Sequence, residues 1–111
     1  RDLCSRKLEK AGYDIILATD GNEALKKIKE ERPDLVLLDI ILPGIEGFEV
    51  LRRTRELKDE IVSKTRIVML SNLGQKSDID KAKRLGATDY IVKAHYTTDD
   101  IYEKTKEILG E

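Results

Sequence analysis

The chain has 111 residues, of which 39% are charged and 40% hydrophobic, and 21 basic and 22 acidic side chains leave a net charge of -1. This length suits one domain with one core. The charge balance gives no reason to expect binding to nucleic acid or to an anionic membrane. No apolar run approaches the roughly 18 residues of a membrane-spanning helix, and residues 1–4 do not resemble a signal peptide. The single cysteine, Cys4, cannot form an internal disulfide, so we expect a reducing compartment and a cytoplasmic protein.

Apolar spacing and turn residues predict helices and strands that alternate along the chain. The apolar spacing predicts a first helix over 2–11, which ends at Gly12. Asp20 is the expected N-cap of the second helix, and Ser77 or Asp78 that of the fourth, which Gly86 ends. The predicted strands are 13–18, 35–39, 66–71 and 90–93. The predicted helices after the first are 21–31, 47–57, 77–85 and 97–109. The solvated face of the helix over 47–57 is expected to carry Arg53, Arg55, Glu56 and Lys58.

This alternation predicts an α/β fold with a parallel sheet covered by helices on both sides. The pattern opens with a helix, whereas such folds normally open with a strand that feeds the first helix through a right-handed connection. We therefore expect that the first strand is absent from this chain. The predicted organisation is one domain over 1–111 without that strand and without an output domain.

Asp39 follows four consecutive apolar residues, 35–38, and precedes the turn residues Pro43 and Gly44. An apolar run of this length without polar alternation is typical of a strand buried on both faces of a parallel sheet. The carboxyl ends of such strands form the edge where ligands bind in open α/β sheets. Asp39 is therefore the candidate for the reactive group, and the alternative is an aspartate that only stabilises the following turn.

Two more strands end in a polar residue, Ser71 and Lys93, and parallel strands bring these ends to one edge with Asp39. A carboxylate oxygen can attack phosphorus and form an acyl phosphate. An ammonium can pair with the phosphoryl charge, and a hydroxyl can donate a hydrogen bond to it. A divalent cation would offset the remaining charge, and the cation expected here is Mg²⁺. Taken singly, Lys93 could be a surface lysine and Ser71 a turn residue.

The sequence resembles the receiver domains of two-component response regulators over its whole length. The motifs that carry this resemblance, in the family's order and spacing, are DGNEAL at 20–25, VLLDIILPGIEG at 36–47, IVMLS at 67–71 and LGATDYIVK at 85–93. The second contains the phosphoacceptor strand and its Pro…Gly loop, and the third ends in the Ser/Thr switch position. In the fourth, the switch aromatic Tyr90 stands three residues before the lysine, Lys93.

The resemblance implies a flavodoxin-like, doubly wound parallel sheet with five strands in the order 2-1-3-4-5. It implies a phosphorelay switch in which a histidine kinase or phosphotransfer protein phosphorylates Asp39, assisted by Lys93. Mg²⁺ would be held partly by Asp39 and by the backbone carbonyl of Ile41. Ser71 and Tyr90 would move together and change the face formed by the family's fourth helix, fifth strand and fifth helix, which an unknown downstream protein reads.

The chain departs from the family pattern in two places. The acidic pair that completes the family's metal site stands at the end of strand 1, and neither Asp2 nor Asp20 matches those positions. We therefore expect weak or absent Mg²⁺ binding and poor phosphorylation of residues 1–111. The family usually has proline after its lysine, whereas Ala94 follows Lys93 here. A cis bond at this place would cost roughly 3 kcal/mol, which favours a trans bond.

Two other functions compete with the switch. One is a phosphate-independent interaction module that has the fold without the chemistry. The other is an aspartate-nucleophile hydrolase of the haloacid dehalogenase type, which needs a second aspartate two residues after the first, where this chain has Ile41. Receivers assist their own phosphotransfer and dephosphorylation, but we interpret this chain as a regulatory protein rather than an enzyme.

Overall fold

The structure, a computed structural model, describes residues 12–110. Its strands are β1 (Ile15–Leu17), β2 (Leu35–Leu38), β3 (Arg66–Ser71) and β4 (Asp89–Val92). Its helices are α1 (Gly21–Glu31), α2 (Gly47–Arg55), α3 (Glu60–Ser63), α4 (Lys76–Arg84) and α5 (Thr98–Ile108), and a 3-10 turn covers Lys93–His95. The helix expected over 2–11 and the residue Cys4 lie outside the described residues. No helix within 12–110 has the length and apolar character needed to cross a membrane.

The described strands form one parallel sheet in the order β1-β2-β3-β4. The prediction of a parallel α/β fold is thereby confirmed. β1 pairs directly with β2, with Ile15 opposite Leu35. The five-stranded order 2-1-3-4-5 and the absence of a first strand stay predictions, because they depend on residues outside 12–110.

Alternating residues of the strands pack into two apolar layers, one on each side of the sheet. Ile16, Val36 and Met69 belong to the layer that also contains buried residues of α1, α2, α3 and α4. Leu37 and Leu70 belong to the opposite layer, against which α5 packs. All of β2 is buried, as the uninterrupted apolar run predicts. The end of β2 is therefore held firmly by packing on both sides, and Asp39 follows it immediately.

The helix starts follow the prediction at one of the two helices for which a cap was named. The Asp20 side chain accepts hydrogen bonds from the amides of Asn22 and Glu23 and caps α1. A capping box formed with Thr97 begins α5. The expectation that Ser77 or Asp78 caps α4 is wrong: both residues lie inside the helix, which begins at Lys76 without a side-chain cap. Asp78 instead lies in the first turn, where its negative charge interacts favourably with the helix dipole.

Arg55 contradicts the prediction of a solvated residue at the end of α2. Its side chain is half-buried and donates hydrogen bonds to the backbone carbonyls of Gly86 (2.9 Å), Ser63 (2.8 Å) and Thr65 (2.7 Å). The short helix α3, which was not predicted, turns the chain so that two of these carbonyls face α2. Arg55 therefore joins the end of α2 to the segments that precede β3 and β4.

Candidate functional site

Asp39 and Lys93 form an ion pair at the carboxyl edge of the sheet. The Lys93 Nζ lies 3.0 Å from the Asp39 Oδ2, and their side chains are 41% and 28% exposed. The other carboxylate oxygen of Asp39 accepts a hydrogen bond of 3.2 Å from the backbone amide of Ile41. The carboxylate is thus held by two donors and is still reachable from solvent. The Lys93–Ala94 peptide bond is trans, as expected.

The loop that follows Asp39 is fixed by close backbone contacts at two glycines. The amide of Gly21 donates to the carbonyl of Pro43 (3.1 Å), and the amide of Gly47 donates to that of Ile40 (2.8 Å). A Cβ atom at Gly21 would lie 1.8 Å from the carbonyl oxygen of Ile45, and one at Gly47 would lie 2.0 Å from that of Asp39. Only glycine allows these approaches, and they hold the loop against the starts of α1 and α2.

Ser71 ends β3 beside the strands that carry the ion pair. In the sheet, Ser71 pairs with Val92, the residue before Lys93, and Met69 pairs with Leu38, the residue before Asp39. The three predicted polar residues therefore come from the ends of three adjacent strands. Ser71 is only 1% exposed, and its Oγ accepts a hydrogen bond of 3.2 Å from the amide of Leu73.

Tyr90 connects β4 to the loop after Ser71. Its hydroxyl donates a hydrogen bond to the backbone carbonyl of Leu73. Burial and the negative charge of Asp78, with a smaller contribution from Asp39, raise the pKa of the Tyr90 phenol. The phenol therefore lies within electrostatic reach of Asp78 and, more weakly, of Asp39.

A groove of about 330 Å³ opens beside the ion pair. Asp39 and Lys93 supply its charged groups. Its other lining residues are largely apolar: Leu17, Ala18, Thr19, Leu37, Ile41, Leu42, Pro43 and Leu70. Ile41 is 72% exposed at the rim. The groove leaves the carboxylate of Asp39 accessible to a small ligand.

The described residues do not supply a full set of ligands for Mg²⁺. No group of three or more histidine, cysteine, aspartate or glutamate side chains suited to a metal occurs within 12–110. Asp39 and the carbonyl of Ile41 would contribute two oxygen atoms to an ion that prefers octahedral coordination. One Asp39 oxygen is already paired with Lys93, and Asp20 is engaged in capping α1. The donor set within these residues therefore does not fit tight Mg²⁺ binding, and Asp2 lies outside them.

The structure places Asp39, Ser71 and Lys93 at one edge of the sheet, and Tyr90 lies within β4 with its hydroxyl on the loop after Ser71. It brings Asp39 and Lys93 into contact. Ser71 is hydrogen-bonded to the backbone amide of Leu73, and Tyr90 to its carbonyl. Sequence reasoning missed the role of the Leu73 backbone and the nearness of Asp78 to Tyr90. Backbone groups carry no residue-type signal, so nothing in the sequence could have revealed the first of these contacts.

Comparison with known proteins agrees with the resemblance stated above. A model of the response regulator receiver domain matches residues 1–106. The alkaline phosphatase synthesis transcriptional regulatory protein PhoP of Bacillus subtilis (strain 168) is 38% identical over 107 residues, which are 96% of this chain and 42% of PhoP. The chain thus spans about two fifths of the length of this curated relative.

Solved structures of receiver domains superpose on the chain. The BeF3-activated N-terminal receiver domain of Klebsiella pneumoniae RstA has a TM-score of 0.77 at 30% identity, over 98% of this chain and 88% of that one. The chemotaxis response regulator CheY4 of Vibrio cholerae has a TM-score of 0.79 at 28% identity, over 96% and 86% of the two chains. This chain therefore belongs to the response regulator receiver domains, the regulatory modules of two-component signalling that are switched in general by phosphorylation.

Proposed function

We propose that this chain is the phospho-accepting switch of a two-component phosphorelay and that Asp39 accepts the phosphoryl group from a histidine kinase or phosphotransfer protein. The observation that carries the proposal is the 3.0 Å ion pair between Asp39 and Lys93 at the mouth of an open groove. It places a nucleophilic oxygen and a phosphate-binding cation side by side, beside the hydroxyl-bearing end of β3.

The proposed reaction is the attack of a carboxylate oxygen of Asp39 on the phosphorus of a phosphohistidine. The new O–P bond forms as the N–P bond breaks. The imidazole nitrogen keeps the bonding electrons and takes a proton from water, so the donor leaves as neutral histidine. Lys93 would exchange its contact with Asp39 Oδ2 for the incoming phosphoryl oxygens. The Ser71 hydroxyl, which now accepts a hydrogen bond, would donate one.

We place the signal output on the face formed by α4, β4 and α5. A new hydrogen bond from Ser71 to the phosphoryl group would disturb its present contact with Leu73, whose carbonyl holds the Tyr90 hydroxyl. Lys104 of α5 lies 3.4 Å from Asp89, the residue before Tyr90, so a shift of β4 would be transmitted to α5. The downstream protein would recognise the changed face.

We propose that residues 1–111 bind Mg²⁺ weakly. The ligand set within 12–110 is incomplete, and the family draws its remaining carboxylates from the end of its first strand. We therefore expect residues 1–111 alone to respond poorly to phosphodonors. The full-length gene product is the sample in which a strong response would appear if it supplies an acidic pair before Arg1.

The decisive experiment adds beryllofluoride or acetyl phosphate, each with Mg²⁺, to the full-length gene product and records amide NMR shifts. We expect shifts around Asp39, Ser71 and Tyr90, and their loss in Asp39→Asn. Asp14→Asn is the matched control, because Asp14 is exposed before β1 at the other end of the sheet. A response that persists in Asp39→Asn would exclude Asp39 as the acceptor.

Lys93→Met separates a phosphate-binding role from a structural one. An exposed ion pair contributes only about 0.2–1 kcal/mol to stability, so the variant should stay folded. We expect it to lose most of the response to beryllofluoride. A full response together with normal stability would show that Lys93 is an ordinary surface residue.

The competing candidate is a phosphate-independent interaction module. The incomplete metal-ligand set within 12–110 favours it. It predicts that the full-length gene product does not respond to beryllofluoride and that Asp39→Asn binds the downstream partner normally. The switch predicts the opposite result in both measurements.

A further inference from the structure

A second pocket lies at the opposite end of the sheet from Asp39, where β2 and β3 begin. We call it the basal pocket, with a volume of about 400 Å³. It is lined by Arg32, Pro33, Asp34, Ile61, Lys64, Thr65 and Arg66. These residues follow α1, precede β2, belong to α3 or surround the start of β3. None of them has a part in the function proposed above.

Two cations of the basal pocket have no ion-pair partner in the described part of the chain. Arg32 is paired with Asp59 at 2.7 Å, and the other Asp59 oxygen caps α3 through the amide of Ile61 at 3.0 Å. Asp34 is partly engaged, because its Oδ2 accepts a 2.7 Å hydrogen bond from the amide of Asp14. Lys64 and Arg66 are exposed and form no ion pair with any residue in the described range 12–110.

An exposed apolar side chain lies beside these cations. Ile61 is 65% exposed, although the next residue of α3, Val62, is buried in the core. The other large exposed hydrophobic residues of the described part of the chain, Ile41 and Leu73, are both near the Asp39 site. Ile61 therefore stands apart from the site already described, next to Lys64 and within the lining of the basal pocket.

We propose that the basal pocket binds an acidic peptide segment of a partner protein, with carboxylates on Lys64 and Arg66 and an apolar side chain on Ile61. Charge complementarity selects an anionic partner, and the exposed isoleucine selects one that also has an apolar side chain. A nucleic acid fits less well: it offers one charge per roughly 1.7 Å of duplex and needs a row of cations. Here two cations stand beside the carboxylate of Asp34 in a chain of net charge -1.

The test is a titration of the chain with a capped pentapeptide of two glutamates, a leucine and two glutamates, followed by amide NMR at low salt. We expect saturable shifts confined to 32–34 and 61–66. The double variant Lys64→Glu, Arg66→Glu should lose affinity roughly ten-fold, because two attractive pairs become repulsive. Ile61→Ser and a pentapeptide with serine in place of leucine should each weaken binding several-fold.

Controls separate a built site from general attraction between charges. The double variant Lys26→Glu, Lys27→Glu makes the same charge change on exposed residues of α1 outside the pocket and should bind normally. If the charge reversal unfolds the chain, the variant Lys64→Gln, Arg66→Gln tests the same contacts. Asp39→Asn should bind the peptide unchanged, so a failed phosphorylation would not affect this result.

Three outcomes would overturn the proposal. One is the absence of saturable shifts in 32–34 and 61–66. Another is an equal loss of affinity in the α1 control, which would indicate non-specific electrostatics. The third is tighter binding of a single-stranded oligonucleotide than of the peptide at the same residues, which would identify a nucleic-acid site instead.

Discussion

Leu73 is hydrogen-bonded to both predicted switch residues, with its amide donating to the Ser71 Oγ at 3.2 Å and its carbonyl accepting from the Tyr90 hydroxyl. One backbone unit therefore joins the end of β3 to β4. A displacement of Ser71 that moves Leu73 would therefore also move the contact of Tyr90. This arrangement is a physical basis for the coupled movement that the proposed switch requires.

Tyr90→Phe tests this coupling directly. The variant removes the hydroxyl that Leu73 accepts from, and we expect a loss of about 0.5–1.5 kcal/mol in the free energy of unfolding. The amide shifts of Leu73 and Gly74, measured by NMR, should also change. The loss of stability is measured by urea denaturation. Tyr96→Phe is the control, since Tyr96 packs against the α5 side of the sheet. Unchanged amide shifts at Leu73 would show that the contact is not formed in solution.

The ionisation of Tyr90 predicts a pH dependence at the alkaline end. Burial first, and then the charges of Asp78 and Asp39, raise the phenol pKa above its ordinary value of 10.0. The folded chain therefore holds the phenolic proton more tightly than the unfolded chain does. The resulting stability is fully present below pH 10 and is lost as pH rises through the folded-state pKa.

An alkaline titration of tyrosinate absorbance measures this pKa, and subtraction of the Tyr90→Phe curve assigns it. Asp39→Asn removes a nearby negative charge, so the Tyr90 pKa should fall towards its ordinary value. Asp14→Asn, far from the phenol, should leave it in place. A Tyr90 pKa that does not respond to Asp39→Asn would contradict an electrostatic link between the site and Tyr90.

Arg55→Met should be one of the most destabilising substitutions of an arginine in this chain. It leaves the carbonyls of Ser63, Thr65 and Gly86 without their donor, and burial already lowers the Arg55 pKa. We expect a loss of about 2–4 kcal/mol, measured by urea denaturation. Arg53→Met is the control, because Arg53 is 48% exposed in an ion pair and should change stability by less than about 1 kcal/mol. Equal effects of the two variants would show that the three contacts contribute little.

The sequence predicts this site better than it predicts the supports around it. Asp39 and Lys93 could be placed because they directly follow strands, and the buried apolar run before Asp39 has few other interpretations. The strand ends are less accurate: Lys93 belongs to a 3-10 turn rather than to β4. The boundary depends on where the ladder of hydrogen bonds stops, which side-chain types encode only weakly.

Arg55 and α3 show why the remainder was not predictable. The spacing of apolar residues places Arg55 on the outer side of α2, and only the fold of the next ten residues brings backbone carbonyls to its guanidinium. α3 has four residues, too few for a helical period to appear in the sequence. Contacts of this kind form only once the tertiary structure is in place, so they cannot be predicted from the local sequence.

The pKa of Glu49 predicts a small pH dependence at the acid end. Hydrogen bonds from Arg52 and then Arg53 lower the carboxyl pKa from 4.5 to about 2. Because the folded-state pKa is depressed, the stabilisation is present above pH 4.5 and is lost as pH falls towards 2. Carboxyl NMR titration measures the pKa directly. Arg53→Gln should raise it, and a Glu49 pKa near 4.5 in the unaltered chain would show that the ion pairs are not formed in solution.

Ile41 is predicted to slow the hydrolysis of the acyl phosphate at Asp39. Its backbone amide donates a hydrogen bond to the Asp39 Oδ1, and its side chain lines the groove through which water would approach. Ile41→Asn replaces an apolar group by one that can hold a water molecule near phosphorus. We expect dephosphorylation to accelerate by up to about ten-fold, a barrier change of about 1.4 kcal/mol.

The decay of the acyl phosphate is followed in the full-length gene product after removal of acetyl phosphate. Ile61→Asn is the matched control, since Ile61 is 65% exposed against 72% for Ile41 and lies at the other end of the sheet. The same rate in Ile41→Asn and the unaltered protein would exclude shielding by Ile41. Acceleration in both variants would point to a general loss of stability, because only Ile41 lies beside the reacting carboxylate.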